Sequence, residues 1–182
     1  MKIKSQSLID ELLLRLDKTT ETVEKFRELE TSEMLARKDP SSWNLLECLE
    51  HLNRYGNFYL PEIEKRILQQ ELKSTNEIFR SGILGNFLVN AVRPKGVKVN
   101  KMKTAKAMNP IQSQLSDKTI SIFLQQQTRL QSLLERSRKV DLSKTRTDTT
   151  LSRFITLRLG DTFRFMVNHI ERHVAQAEAT QF

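Results

Sequence analysis

The chain contains three histidines, His51, His169 and His173. Neutral imidazole is a common ligand for divalent transition metals. His169 and His173 stand four residues apart, so on a helix they lie one above the other on a single face and can address one ion. A third ligand must then come from a different helix, and His51 stands on an earlier stretch of helical spacing. Spacing alone does not separate a metal site from an ordinary solvated helix face, because matches of this size recur by chance. The elements that carry the histidines therefore matter as much as the residues.

Four long helices are predicted. The first runs from about Ser5 to Arg37, with Ile9, Leu12, Leu13, Leu16, Val23 and Phe26 on one stripe, and is stopped by Asp39 and Pro40. The second begins near Trp43, where Asn44 and Glu47 have the form of a capping box, and continues through Leu45, Leu49, Leu52, Tyr59, Ile63 and Ile67 to about Leu72. Ser116 and Asp117 open the third, whose buried positions should be Ile122, Phe123, Leu130, Leu133 and Leu134. It ends before the polar stretch Asp141 to Thr150. The fourth starts around Gly160 and Asp161 and carries Phe163, Met166, Ile170, Val174 and Ala177 beside the two histidines. The short connection around Pro40 predicts that the first two helices are antiparallel neighbours. The crossover between the second and third, about residues 74–115, is long enough to make those two parallel. Within it Ile83, Leu84, Phe87, Leu88, Ala91 and Val92 have helical spacing, which predicts a short extra helix covering part of the bundle.

Composition agrees with an all-α chain: five Gly and four Pro in 182 residues are few, and 38% of residues are hydrophobic. The length suits one domain spanning 1–182. A single Cys excludes an intramolecular disulfide. Met1 to Asp10 holds no apolar run of signal-peptide length, and no stretch is long enough to span a bilayer, so the expected location is the cytoplasm.

The stretch Trp43, Asn44, Leu45, Leu46, Glu47, followed by His51 and Leu52, resembles the W-S-x-x-E-x-x-x-H-L signature of the DinB/YfiT-like metalloenzymes. His169, His173 and Gln176 resemble the same family's H-x-x-x-H-x-x-Q. Lys101, Met102, Lys103, Thr104 and the later Pro110 look like its K-x-K-T crossover stretch. Asn44 stands where Ser is usual, a conservative change at an N-cap, and Ala105 where Pro is frequent. The resemblance implies a four-helix bundle with a long crossover, and a divalent metal, zinc or nickel, held by His51, His169 and His173. It further implies a hydrolase or a transferase working with a low-molecular-weight thiol, and a homodimer. Three protein ligands would leave a position open for water or substrate, as catalytic metals require.

Neighbouring residues each have two readings. Glu47, one turn before His51, is a candidate general base or a hydrogen-bond acceptor for a ligand, and also the N3 carboxylate of the capping box. Cys48 is a possible fourth ligand or plain core. Tyr55 could reach a bound water or substrate, or pack with its hydroxyl at the rim. Gln176 could orient a ligand through its amide, or stand exposed near the helix end. Trp43 reads as packing.

The net charge of +8 is uneven. Between Glu77 and Asp117 there is no acidic residue, and Arg80, Arg93, Lys95, Lys98, Lys101, Lys103 and Lys106 account for all but one of the net charges. Aromatic residues are not interleaved there, which argues against single-stranded nucleic acid. An amphipathic helix followed by a basic run is compatible with an anionic membrane surface, but the preferred reading is a solvated cover strand and no membrane partner. A metal-dependent enzyme is thus weighed against a non-catalytic binding bundle whose basic crossover contacts an acidic partner or an anionic membrane surface.

Overall fold

A computed structural model of the chain describes residues 1–70, 77–93, 104–152 and 154–181. It opens with a short strand β1 (Lys2–Lys4) leading into helix α1 (Ser5–Lys25) and a single turn α2 (Thr31–Met34). Helix α3 (Leu45–Leu68), strand β2 (Ile78–Arg80), helix α4 (Ile83–Val92) and helix α5 (Lys118–Arg136) follow. Two strands, β3 (Arg146–Asp148) and β4 (Thr156–Arg158), precede the last helix α6 (Leu159–Glu178). Among the described residues no helix is long and apolar enough to cross a membrane.

The bundle consists of α1, α3, α5 and α6. Each of α1 and α3 packs against both α5 and α6, so the two pairs alternate around the core. Directions follow from side-chain pairings. Asn53 meets Thr119 while Glu64 meets Arg129 and Arg136, so α3 and α5 run parallel. Asp17 meets Gln131 while Asp10 meets Arg138, so α1 opposes α5. Trp43 lies by His173 and Tyr55 by Phe165, so α3 opposes α6. The first two long helices are therefore diagonal rather than neighbours, against the prediction. The reason is local: α1 stops at Lys25 and not at Arg37, Leu29 turns extended, and a Glu30/Glu33 capping box starts the separate α2. That lengthens the connection enough to cross the end of the bundle.

The Asn44/Glu47 capping box is present, with Glu47 N–H donating to Asn44 Oδ1 at 2.8 Å and Asn44 N–H to Glu47 Oε2 at 3.0 Å. In α5 the buried stripe includes Ile120, Phe123, Leu124, Leu130, Leu133 and Leu134, whereas Ile122, predicted to be core, is 45% exposed. Leu13 is half-buried at the edge of the core. Two small antiparallel sheets, β1 with β2 and β3 with β4, were not anticipated. The second forms within and after the polar stretch Asp141 to Thr150. The second helix ends at Leu68, short of the predicted Leu72, and Lys95, Lys98, Lys101, Met102 and Lys103 lie outside the described residues.

The extra helix α4 exists, but its apolar residues are not turned as predicted. It packs Gly85, Val89 and Val92 toward α6 and leaves Ile83, Leu84 and Phe87 exposed. A Cβ at Gly85 would overlap the Asp161 carboxylate, so the missing side chain sets which face approaches α6. Asp161, fully buried, then accepts from Gly82 N–H at 2.7 Å and from Ser81 Oγ–H at 2.5 Å, and pairs with Arg164 at 3.0 Å. It thereby caps α4 from another helix. Asp161→Ala is expected to cost about 2 kcal/mol, the worth of hydrogen bonds to a charged group. Amide exchange across 83–92 should quicken in that variant, and unchanged protection there would refute this anchoring role.

Candidate metal centre

His51 lies in the second turn of α3, and His169 and His173 on the inward face of α6; all three are buried. Because α3 and α6 are antiparallel neighbours, the three rings meet, with centroids 4.6 to 5.0 Å apart. One ligand nitrogen from each falls within 4.8 Å of the others, and His51 Nε2 and His169 Nε2 are 3.2 Å apart.

The outer nitrogens are held. His51 Nδ1–H donates to the Met108 carbonyl at 2.7 Å, and His173 Nδ1–H donates to Gln176 Oε1 at 3.0 Å. A neutral imidazole has one N–H, so these bonds leave bare lone pairs on His51 Nε2 and His173 Nε2. Burial lowers the pKa of His51 to about 4, only partly offset by the Met108 bond. His169 and His173 are also driven well below the usual histidine range, first by burial and then by neighbouring positive charge, including that of Arg172. Lone pairs denied a proton remain available to a divalent ion. Tetrahedral zinc with bonds of 2.0–2.1 Å sets neighbouring nitrogens about 3.3 Å apart, close to the 3.2 Å between His51 and His169. The donor set and spacing fit such an ion.

A strap from the crossover places Met108. Trp43 Nε1–H donates to Asn109 Oδ1 at 3.1 Å, Arg54 donates to the Asn109 carbonyl at 2.8 Å, and Gln112 N–H donates to Glu47 Oε1 at 2.6 Å. Gln112 is held there at φ 60, a left-handed conformation uncommon outside glycine. The Arg37 guanidinium meets both Glu47 oxygens, at 2.7 and 2.9 Å. With Asn44 and Gln112 added, this carboxylate is fully engaged in holding the start of α3 and the strap, and the geometry favours its structural reading over a general base.

Aromatic rings wall the histidines. Trp43 lies 4.8 Å from His51, Phe165 stacks 5.4 Å from His169, and Tyr55 sits 4.9 Å from His51 and 4.5 Å from His169. Tyr55 meets the imidazoles with its ring. Cys48 is fully buried in the hydrophobic core, where burial pushes its thiol pKa up, and it is not among the grouped ligands. Sequence reasoning missed the Met108 carbonyl, the Arg37 partner and Phe165. A backbone acceptor leaves no trace in residue type, and the other two reach the site only through tertiary packing.

The family model described as the DinB superfamily matches residues 15–177. The chain belongs to the DinB superfamily. No curated protein and no solved structure gives a match to it. The matched span takes in all three histidines of this DinB-superfamily chain, the α3 capping box and the strap.

Acid should destabilise the metal-free protein in a defined window. The unfolded chain takes up protons on histidine as pH falls below about 6.5, whereas His51 in the folded state resists until about pH 4. Stability is therefore complete above pH 6.5 and falls between there and pH 4, by up to about 1.4 kcal/mol per pH unit for each such histidine. Urea melts of chelator-treated protein from pH 8 to 5 should show this slope, reduced in His51→Gln. A flat profile would show that the imidazoles protonate freely in the fold.

Proposed function

We propose that the chain is a metal-dependent enzyme, a hydrolase or a thiol-dependent transferase, holding zinc or nickel on His51, His169 and His173. The observation that supports this most is the convergence of three buried imidazoles whose inner nitrogens lie within 4.8 Å of one another. When bound, such an ion supplies Lewis acidity, which brings the pKa of a held water or thiol toward neutrality.

The chain's own residues do the rest. The Met108 carbonyl and Gln176 select the tautomers of His51 and His173 and fix their ring planes, a role that strengthens ligation. Trp43, Tyr55 and Phe165 keep bulk water from the flanks of the imidazoles. The buried Arg172 adds positive charge beside His169 and His173, which helps keep both imidazoles unprotonated and free to ligate. The resemblance extends the reading to a homodimer, checked by light scattering.

Metal-loaded protein and the His173→Ala variant should be compared on ester, amide and thiol-transfer substrates, with and without a low-molecular-weight thiol. Turnover that needs both the metal and the thiol identifies the transferase, and turnover with metal alone the hydrolase. Equal turnover in His173→Ala would refute the reading.

A further inference from the structure

Helix α4 presents an apolar face that the bundle does not cover. Ile83 is 95% exposed, Phe87 67% and Leu84 44%, and the helix contains no charged residue. Arg80 and Arg93 stand exposed at its two ends, in an interval of sequence that holds seven basic residues and no acidic one. The helix is firmly attached: Gly85, Val89 and Val92 are buried on its α6 side, Asp161 caps its start, and Arg164 reaches Asn86 at 3.4 Å.

We propose that this face docks on an anionic phospholipid surface. Ile83, Leu84 and Phe87 enter the boundary between headgroups and acyl chains, while Arg80 and Arg93 pair with headgroup phosphates. The size of the patch favours a bilayer over a folded partner. A stable protein interface uses roughly 20–30 residues a side, whereas three large side chains on a helix about 15 Å long need only a fluid apolar layer. Charge favours it too. A second copy of the chain packed face to face would bring exposed arginines at the helix ends toward each other, whereas a bilayer containing phosphatidylglycerol offers negative charge to both ends at once. The tethers through Asp161 and Arg164 hold the face in place before contact, so little ordering accompanies binding.

Co-sedimentation of the full chain with vesicles tests this without reference to the metal centre. The parent should pellet with phosphatidylcholine vesicles containing phosphatidylglycerol, not with phosphatidylcholine alone, and salt should release it. The Ile83→Ser/Phe87→Ser double variant should bind at least roughly 10-fold more weakly, given the apolar burial lost, with Tm and metal content unchanged. Absence of parent binding, or full binding by the double variant, would overturn the proposal. So would equal binding to polyglutamate that ignores Ile83 and Phe87, which would reduce the face to a basic patch. A parent dimer that becomes monomeric in the double variant would assign the face to a second copy and overturn it as well.

Discussion

His169→Ala is expected to abolish stoichiometric metal binding. Its Nε2 lies 3.2 Å from His51 Nε2, and two remaining imidazoles do not form a closed ligand set. The loss should exceed the roughly 10–100-fold weakening that follows when only the outer hydrogen-bond partner of a ligand is removed. Gln176→Leu provides that milder reference, because it frees His173 Nδ1–H while leaving all three imidazoles in place. Competition against a chromophoric chelator should rank the parent above Gln176→Leu, and Gln176→Leu above His169→Ala. Equal affinities across the three proteins would place any bound metal elsewhere.

Arg37→Ala should cost more stability than Asp161→Ala. It leaves the fully buried Glu47 carboxylate with backbone donors alone. An uncompensated buried charge of this kind costs about 3 kcal/mol, or a Tm lower by about 6–12 °C for a chain of this size. Glu47→Gln should be milder, since the partly exposed Arg37 can regain water. The double variant Arg37→Ala/Glu47→Gln should be more stable than Arg37→Ala alone. Thermal melts at pH 7 check the order, and a double variant less stable than either single one would contradict the buried-charge account. Because Glu47 also holds Gln112, and with it the strap carrying Met108, a modest fall in metal affinity should accompany the stability loss.

Much of this architecture is written in local pattern. The i, i+4 placement of His169 and His173 and the capping box at Asn44 are short-range features that the fold leaves intact. That His51 would meet them rested on a resemblance, since periodicity alone does not say which helices adjoin. Where local pattern failed, the causes are identifiable. The ten residues of α4 are apolar on most sides, so spacing does not choose a face. The choice is made by Gly85, whose missing side chain admits the Asp161 carboxylate and sends Ile83 and Phe87 outward. The diagonal placement of α1 and α3 was hidden because the stripe ending at Phe26 was extended to Arg37, across a break at Leu29 that only the Glu30/Glu33 box marks. Ile122 sits at the rim of the α5 stripe, on the side of the buried Leu133, so spacing alone does not place it outside the core.

The most direct test of the metal centre is elemental analysis by inductively coupled plasma mass spectrometry on gently purified, tag-free protein. Near-stoichiometric zinc or nickel in the parent, retained through dialysis and lost in His51→Ala, is the predicted result. A folded parent that holds neither ion, even after reconstitution with both, would contradict the account.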